Sequence, residues 1–572
     1  MSRKGIIAEI VRSYLNSVAE EMRRTLIRTA FNPVIYDVLD FGISLYDTEL
    51  RLVAEAPGLP FFIGANDYAI VKAVEYIGEQ NLESGDIVLM NYPYWNSAHT
   101  LDVTTFAPVF HSNSSRPVAY LVIRAHWMDL GAKDAGYVLD STDLHQEGII
   151  FPGTKVCKGG RLDKEILELI RFNSRMPDLV IGDLHSQIAS IKTGEKRIIS
   201  IIEKFGLDTV RESIDIILQG GENKCRSALR ALPHGEWSAE DYIDDDGVTS
   251  QMIPIRATVK ISDDIFQVDF TGSSPMVKGP VNMPFGATYS ICRMIFKSLT
   301  TPEEPSNAGH FAPLRVVAPP GSIFHAVYPS ATFTLWTGML QLELVFKALG
   351  KGLPDLISAS SGGDVPGFMM VGIHPDNGKL YALSNNEPVG WGACSTHDGA
   401  NALQHRSSAV VRNTPIEVLE SRTAMIIERL ELITDSGAPG KFRGGLGVLR
   451  EIKFTSDGEL ISVMKKTKTK PWGLNGGWDA EPTSLLLYAG SFQEKKVGTY
   501  RANVKKGDKC VLKTAGGGGW GKPSERDPEA VLEDVLDGYV SIECAESIYG
   551  IAIRDGRIDW ERTRKIRANE QS

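Results

Sequence analysis

The sequence predicts an α+β fold, a large mixed multi-layer body in which two β-rich regions are separated by a helical block. Three observations carry this expectation. The chain opens on helical periodicity, the same periodicity returns between about residues 163 and 232, and short apolar runs bounded by turn-forming residues lie on either side of that return. The expected regions are 1–162, mixed and carrying the candidate site; 163–235, helical; and 236–572, a glycine-rich α/β part, with one intergrown body as the alternative.

From Gly5 to about Ala30, Ile7, Ile10, Val11, Tyr14, Leu15, Val18, Met22 and Leu26 follow the three-and-four spacing of a helix with one buried face. Phe41–Tyr46, Ile87–Met90, Val103–Phe110 and Val118–Ala125, each flanked by Gly, Pro, Asn or Ser, read as strands. The helical block follows, marked by Ile166 to Ile170, then Ile188, Ile191, Ile198, Ile201 and Ile202, then Ile214 to Leu218. Beyond Pro233-His234-Gly235, Val259–Ile261 and Phe266–Phe270 predict strands, and residues 528 to about 545 predict one more helix. Glycine crowds the last third at 362–363, 444–447, 476–477 and 516–519, which marks tight turns or close backbone approach.

Composition narrows the function. With 42% hydrophobic and 23% charged residues over 572, the chain is long and apolar enough for a sizeable core. A formal charge of -10 supplies no basic excess for a phosphate backbone, so nucleic acid is not an expected partner. The densest basic run, residues 465–470, reads as a solvated loop. Six cysteines without a close pair give neither a thiolate knuckle nor a disulfide framework, and the N-terminus has no apolar leader, so a cytoplasmic chain off the membrane is expected. The pattern of a phosphate loop, GK followed by Ser or Thr, is absent, as is GxSxG.

Two histidines open the same short spacing, His99-Thr-Leu-Asp102 and His126-Trp-Met-Asp129. An imidazole and a carboxylate three positions apart can converge on one divalent ion where the chain turns. The polar stretch between the second pair of N-terminal strands, residues 111–116, reads as a hairpin turn. Folding about residues 113 and 114 sets Leu101 opposite His126 and Asp102 opposite Ala125, so both segments meet at the mouth of one hairpin. Since side chains alternate between faces, a slip of one residue reverses which of them meet. The same spacing also suits strand-end histidines hydrogen-bonded to nearby aspartates.

The runs Asn91-Tyr-Pro-Tyr-Trp-Asn-Ser-Ala-His99-Thr-Leu-Asp102, Arg124-Ala-His126-Trp-Met-Asp129-Leu-Gly131 and Gln146-Glu147-Gly148 resemble the B-type chain of ATP-dependent hydantoinases, the family of 5-oxoprolinase, caprolactamase and the acetone and acetophenone carboxylase subunits. The resemblance continues through residues 245–247, 268–272 and 413–417, through Asp398 in Cys394-Ser-Thr-His397-Asp398-Gly399, and on to 443–447 and 516–521. It implies a divalent metal, zinc foremost with manganese or iron as alternatives, held by His99, Asp102, His126 and Asp40. Asp40 stands in Asp37-Val-Leu-Asp40-Phe41, which departs from the family pattern at Asp37, Val38 and Gly42. Asp129, His145 and Glu147 are the nearest candidates for proton transfer.

The resemblance further implies a hetero-oligomer in which an A-type partner subunit uses ATP to phosphorylate a lactam or cyclic imide, and this chain hydrolyses the product. Carboxylation of a ketone in a complex of the acetone type is the alternative activity. A non-catalytic assembly subunit with a structural metal is the other, and the lack of thiolate ligands argues against it.

Overall fold

The computed structural model describes residues 3–112 and 114–569. Helix α1 (Arg3–Thr29) and the single turn α2 (Pro33–Tyr36) lead into β1 (Phe41–Asp47), β2 (Leu52–Glu55), α3 (Pro60–Ile77), β3 (Ile87–Met90), the turn α4 (Pro93–Asn96), β4 (Asp102–Val109), β5 (Ala119–His126), β6 (Thr154–Lys158) and β7 (Arg161–Leu162). These strands form one seven-stranded sheet in the order β2-β1-β5-β4-β3-β6-β7. Every residue of β4 and β5 is buried, because both faces of the sheet are covered. That is why neither shows a two-residue apolar–polar alternation in the sequence, although Thr104, Thr105 and Arg124 interrupt their apolar residues.

The helical block consists of α5 (Lys164–Asn173), α6 (Pro177–Phe205) and α7 (Leu207–Ala231). It lies between the β-rich parts in sequence but not in space. Leu184, Ile188 and Ile191 of α6 join Leu15, Val18 and Met22 of α1 against Ile43, Leu121 and Ile123 on one face of the sheet. The other face, with Tyr46, Phe106, Tyr120 and Val122, packs on α3 and on the next layer. That layer holds β8 (Gly235–Ile243), β9 (Ile253–Ile261), β10 (Phe266–Asp269), α8 (Phe285–Thr300), β11 (Leu314–Val317) and α9 (Trp336–Gly350), its strands ordered β11-β10-β9-β8.

A β-sandwich closes the molecule. Its strands are β12 (Gly367–Ile373), β13 (Leu380–Asn386), β14 (Met425–Leu432), β15 (Val448–Phe454), β16 (Gly458–Val463), β17 (Ser484–Leu487), β18 (Lys495–Val497), β19 (Tyr500–Val504) and β20 (Lys509–Lys513), with α10 (Ile416–Arg422) before β14. The sheets β13-β12-β16-β19 and β14-β15-β20-β17-β18 enclose Phe368, Met370, Ile452, Leu460, Leu485 and Leu512. Alternation along β12 and β16 turns Met369, Val371, Ile461 and Val463 outward onto Val34, Met128, Leu139 and Trp336. The sandwich is thereby seated on the strand ends of the first sheet, where the candidate residues lie.

The crowded glycines serve close backbone approach. A Cβ on Gly444 would stand 1.8 Å from the Gly517 carbonyl oxygen, and one on Gly517 would stand 1.9 Å from that of Trp391. The segments are laced by amide bonds in several directions, among them Gly517 N to Gly445 O at 2.9 Å, Gly445 N to Trp391 O at 2.8 Å and Ala438 N to Gly517 O at 3.0 Å. Asp398 anchors this bundle by accepting two 2.7 Å hydrogen bonds from the Arg526 guanidinium.

Three expectations need correction. The basic run is no solvated loop at its start: Lys465 and Lys466 are each 1% exposed and pair with Asp245 and Asp241, while Asp244 accepts from the Thr467 and Lys468 amides. The acids that neutralise it lie more than two hundred residues upstream, so local sequence could not disclose them. The last predicted helix is two, α11 (Pro528–Leu536) and α12 (Ile542–Ser547), broken where Gly538 takes φ +76°. The hairpin register is offset by one residue, as described below; Asn113, one of the two residues expected at its turn, lies outside the described residues, as do 1–2 and 570–572 of the expected end regions. Among the described residues no helix is long and apolar enough to cross a membrane.

Candidate metal centre

Strands β4 and β5 pair with Asp102 opposite His126 and Val103 opposite Ala125. The expected register puts Leu101 and Asp102 at those places. The ladder ends on Val109 and Ala119, and the polar connection between them is one residue out of symmetry with the assumed turn. The correction favours convergence, since residues directly opposite share a face of the sheet. On the other side of β5, β1 pairs Phe41 with Ala125, and the His126 amide donates to the Asp40 carbonyl at 3.2 Å. Asp40, His126 and Asp102 therefore stand in a row across three neighbouring strand ends.

His99 arrives from the tight connection between α4 and β4. Ser97 takes φ +65°, and the Asp102 amide bonds back to the His99 carbonyl at 3.1 Å, so the HxxD segment is a turn and its two side chains meet. His126 Nδ1 lies 2.9 Å from Asp102 Oδ1, and His99 Nδ1 lies 3.3 Å from Asp102 Oδ2 without hydrogen-bond alignment. The imidazole centroids are 5.0 Å apart. His99, Asp102 and His126 each offer one ligand atom within 4.8 Å of the others, and all three residues are buried.

Four atoms here have no hydrogen-bonding partner although they are shielded from water: Asp40 Oδ1, His99 Nδ1, Asp102 Oδ2 and His126 Nε2. A buried polar atom left unpaired costs about 1–3 kcal/mol, and more when charged, so four in one cluster mark a place built for something else. Burial pushes the Asp40 carboxyl up to about 7, with His126 opposing the rise and Asp102 adding to it. Burial drops His99 to about 4, keeping its ring neutral and its lone pair free. On His126 burial is outweighed by the hydrogen bond and charge of Asp102, with Asp40 and Asp183 contributing, and its pKa rises. Two imidazoles and the Asp102 carboxylate, with free ligand atoms close together, fit a divalent cation of the zinc, manganese or iron(II) kind, while Asp40, whose Oδ1 is also unpaired, lies outside that 4.8 Å group and completes it only by a small approach.

The surroundings hold these side chains in place. Asn32 donates to the His126 carbonyl at 3.2 Å and caps Val34, whose own carbonyl accepts the Asp40 amide; Asp183 in turn accepts the Phe31 and Asn32 amides at 2.8 and 3.1 Å. Asn96 donates to the Asp102 carbonyl at 2.6 Å. Phe333 stacks on His99 at 5.6 Å, and Tyr137 stands 6.0 and 6.1 Å from the rings of His99 and His126. Asn96 falls inside a motif visible in the sequence. Asn32, Tyr137, Asp183 and Phe333 carry no such signal: Asp183 and Phe333 come from segments far along the chain, and Asn32 and Tyr137, although near Asp40 and His126 in sequence, fall in no ligand spacing or motif.

The three proton-transfer candidates fare differently. Asp129 is committed to Arg175, 2.7 Å from its guanidinium, and to the Arg175 and Gly131 amides. His145 is exposed, bonded to Asp143 and 3.4 Å from the Tyr328 hydroxyl. Glu147 is fully buried behind His99: its carboxylate takes Ser141, Thr332 and Phe333 at 2.8–3.0 Å, and its carbonyl takes the Thr100 hydroxyl at 2.5 Å. Burial lifts it to about 7 against those hydrogen bonds.

The family model for hydantoinase B/oxoprolinase matches residues 4–523. The chain belongs to that family. The assigned B-type chain of a D-/L-hydantoinase in Pseudomonas sp. (strain NS671) is 31% identical, with 98% of each chain covered. The crystal structure of the ATP-dependent caprolactamase from Pseudomonas jessenii superposes with a TM-score of 0.90 at 25% identity, covering 98% of this chain and 99% of that one. The nucleotide-free structure of acetone carboxylase gives 0.89 at 18% identity over 100% of this chain and 83% of that one, a likeness of fold. The mixed α/β architecture is thus that of the hydantoinase B/oxoprolinase family.

Proposed function

We propose that this hydantoinase B family chain is the metal-bearing subunit of an ATP-dependent hydrolase of lactams or cyclic imides. In this reading an A-type partner phosphorylates the carbonyl oxygen, water adds to the activated carbon in this chain, the ring C–N bond breaks as the nitrogen takes a proton, and a second water hydrolyses the resulting acyl phosphate to carboxylate and free phosphate. ATP is needed because an unstrained amide is a poor electrophile. The observation that carries the reading is the set of four unpaired ligand atoms on Asp40, His99, Asp102 and His126, within a chain whose relatives include an ATP-dependent caprolactamase and a hydantoinase subunit.

A divalent cation in the cluster would supply Lewis acidity, activating water near neutral pH and polarising an oxygen of the reacting group. The protein's part is to hold the donors. His99 and His126 offer ring nitrogens, Asp40 and Asp102 balance charge, and Asp102 orients His126 through its 2.9 Å bond. Glu147 fixes Phe333 against His99 and is a positioning residue in this scheme.

The test copurifies the chain with its ATP-binding partner and follows ATP turnover with hydantoin, 5-oxoproline, caprolactam and acetophenone, each with and without bicarbonate. Ring-opened product in step with ADP is the expected result. A carboxylated product that requires bicarbonate would move the chain to the ketone carboxylases. Full ring opening by metal-free chain would reduce the metal to a structural role.

A further inference from the structure

We propose that the Tyr137 phenol is the hydrogen-bond donor that holds an oxygen of the phosphoryl group presented to the centre. This rests on the metal reading above and adds to it a residue that touches the substrate. Tyr137 reaches the site from the loop after β5, and its ring meets His99 at 6.0 Å, His126 at 6.1 Å, Phe333 at 6.1 Å and Trp336 at 5.6 Å. It thus spans both imidazoles at once. His99, Asp102 and His126 are at most 4% exposed, whereas Tyr137 and Asp40 are partly exposed, so these two mark the side from which a substrate arrives.

The Tyr137 hydroxyl makes no hydrogen bond to any described residue and is not among the shielded unpaired atoms of the site, so it opens toward solvent, while its main chain is held firmly. Its carbonyl accepts Arg501 of β19 at 2.7 Å, and Arg501 is itself paired with Glu459 at 2.6 Å. The preceding Gly136, at φ +75°, lies so close to the sandwich that a Cβ there would stand 2.2 Å from the Met369 sulfur. A ring fixed at its backbone and walled by two aromatics, with a free donor at its tip, is pre-organised for an acceptor that comes from outside. Phe333 and Trp336 add the apolar walls that suit a flat ring beside that acceptor.

The experiment loads the full chain and its Tyr137→Phe variant with cobalt(II), reads metal uptake from the visible spectrum, and titrates inorganic phosphate into both. The substitution keeps the ring and removes only the hydroxyl. Both proteins should take up one cobalt with the same affinity, and the variant should bind phosphate about tenfold more weakly, the loss of one charge-assisted hydrogen bond. Equal phosphate affinity with cobalt in both would overturn the role of Tyr137 and leave the metal reading standing. A wild-type cobalt spectrum unmoved by millimolar phosphate would overturn it too. Failure of the wild-type chain to take up cobalt would overturn the metal reading and this inference with it.

Discussion

Asp102 and His126 face each other across the β4–β5 ladder with Oδ1 2.9 Å from Nδ1, and each keeps a second, unpaired ligand atom, Oδ2 and Nε2. The register thus leaves the pair half satisfied. With the hairpin one residue out, the two side chains would point to opposite faces and the cluster would not exist.

The first expected outcome follows from that pair. Elemental analysis of the purified chain should give one divalent ion per molecule, and the double variant His99→Ala, His126→Ala should hold none at the same metal concentration. The loss removes two of four donors while leaving Asp40 and Asp102. Full occupancy in the folded double variant would take the ion away from this cluster.

Much of the cluster is legible in the sequence, because His99, Asp102 and His126 lie within twenty-eight residues and the HxxD spacing works through a local turn. Asp40 is reached only through the family resemblance, since its place beside His126 depends on the pairing of β1 with β5. Phe333 and Tyr137 are out of reach, being brought in by packing of the second layer and the sandwich. The same limit explains Lys465 and Lys466: a basic run looks solvated until Asp241 and Asp245 fold over it. The strands β3 to β5 are readable because complete burial leaves them mostly apolar without alternation, although Thr104, Thr105 and Arg124 interrupt β4 and β5.

Two glycine substitutions should part in sign. Gly517→Ala sets a methyl group 1.9 Å from the Trp391 carbonyl oxygen with backbone on every side, and should destabilise the chain by about 3 kcal/mol or more, or abolish soluble expression. Gly220→Ala lies in the interior of α7 with nothing within 4 Å, and should stabilise by about 0.5–1 kcal/mol through helix propensity. Thermal unfolding of the two variants checks both. A tolerated alanine at 517 would mean that the bundle of extended segments can open.

Stability should also depend on pH through Asp364. Burial lifts this carboxyl from 3.8 to about 7, with Asp244 adding to the rise and the Lys465 amide and Lys466 opposing it. Its folded pKa lies above its unfolded one, so between these values the folded chain binds the extra proton. The stability it lends is therefore complete below about pH 4 and is lost as pH rises toward 7 and beyond, by at most about 1.4 kcal/mol per pH unit. Asp364→Asn keeps an acceptor for the Lys465 amide without a titrating proton. Its unfolding midpoint should fall less than that of the parent between pH 5 and 8, and parallel curves would remove Asp364 as the cause.

The last prediction concerns the coupling of ATP cleavage to ring opening. If the partner forms the phosphorylated substrate with its own residues, loss of a ligand in this chain should depress product formation far more than substrate-dependent ATP cleavage. His99→Ala is the gentlest probe, because burial keeps His99 neutral and its removal leaves the Asp102–His126 bond intact. Removing His126 instead strands a buried carboxylate oxygen, and removing Asp102 leaves both imidazoles without their shared partner, so either could unfold the strand ends. In the complex bearing His99→Ala, phosphate release should continue while ring-opened product falls at least tenfold, the activated substrate escaping to bulk water. A parallel fall of both rates would mean that the partner does not fire unless this centre is assembled, and would sink the independent-step reading. Unchanged rates in a folded complex would show that His99 has no part in the reaction.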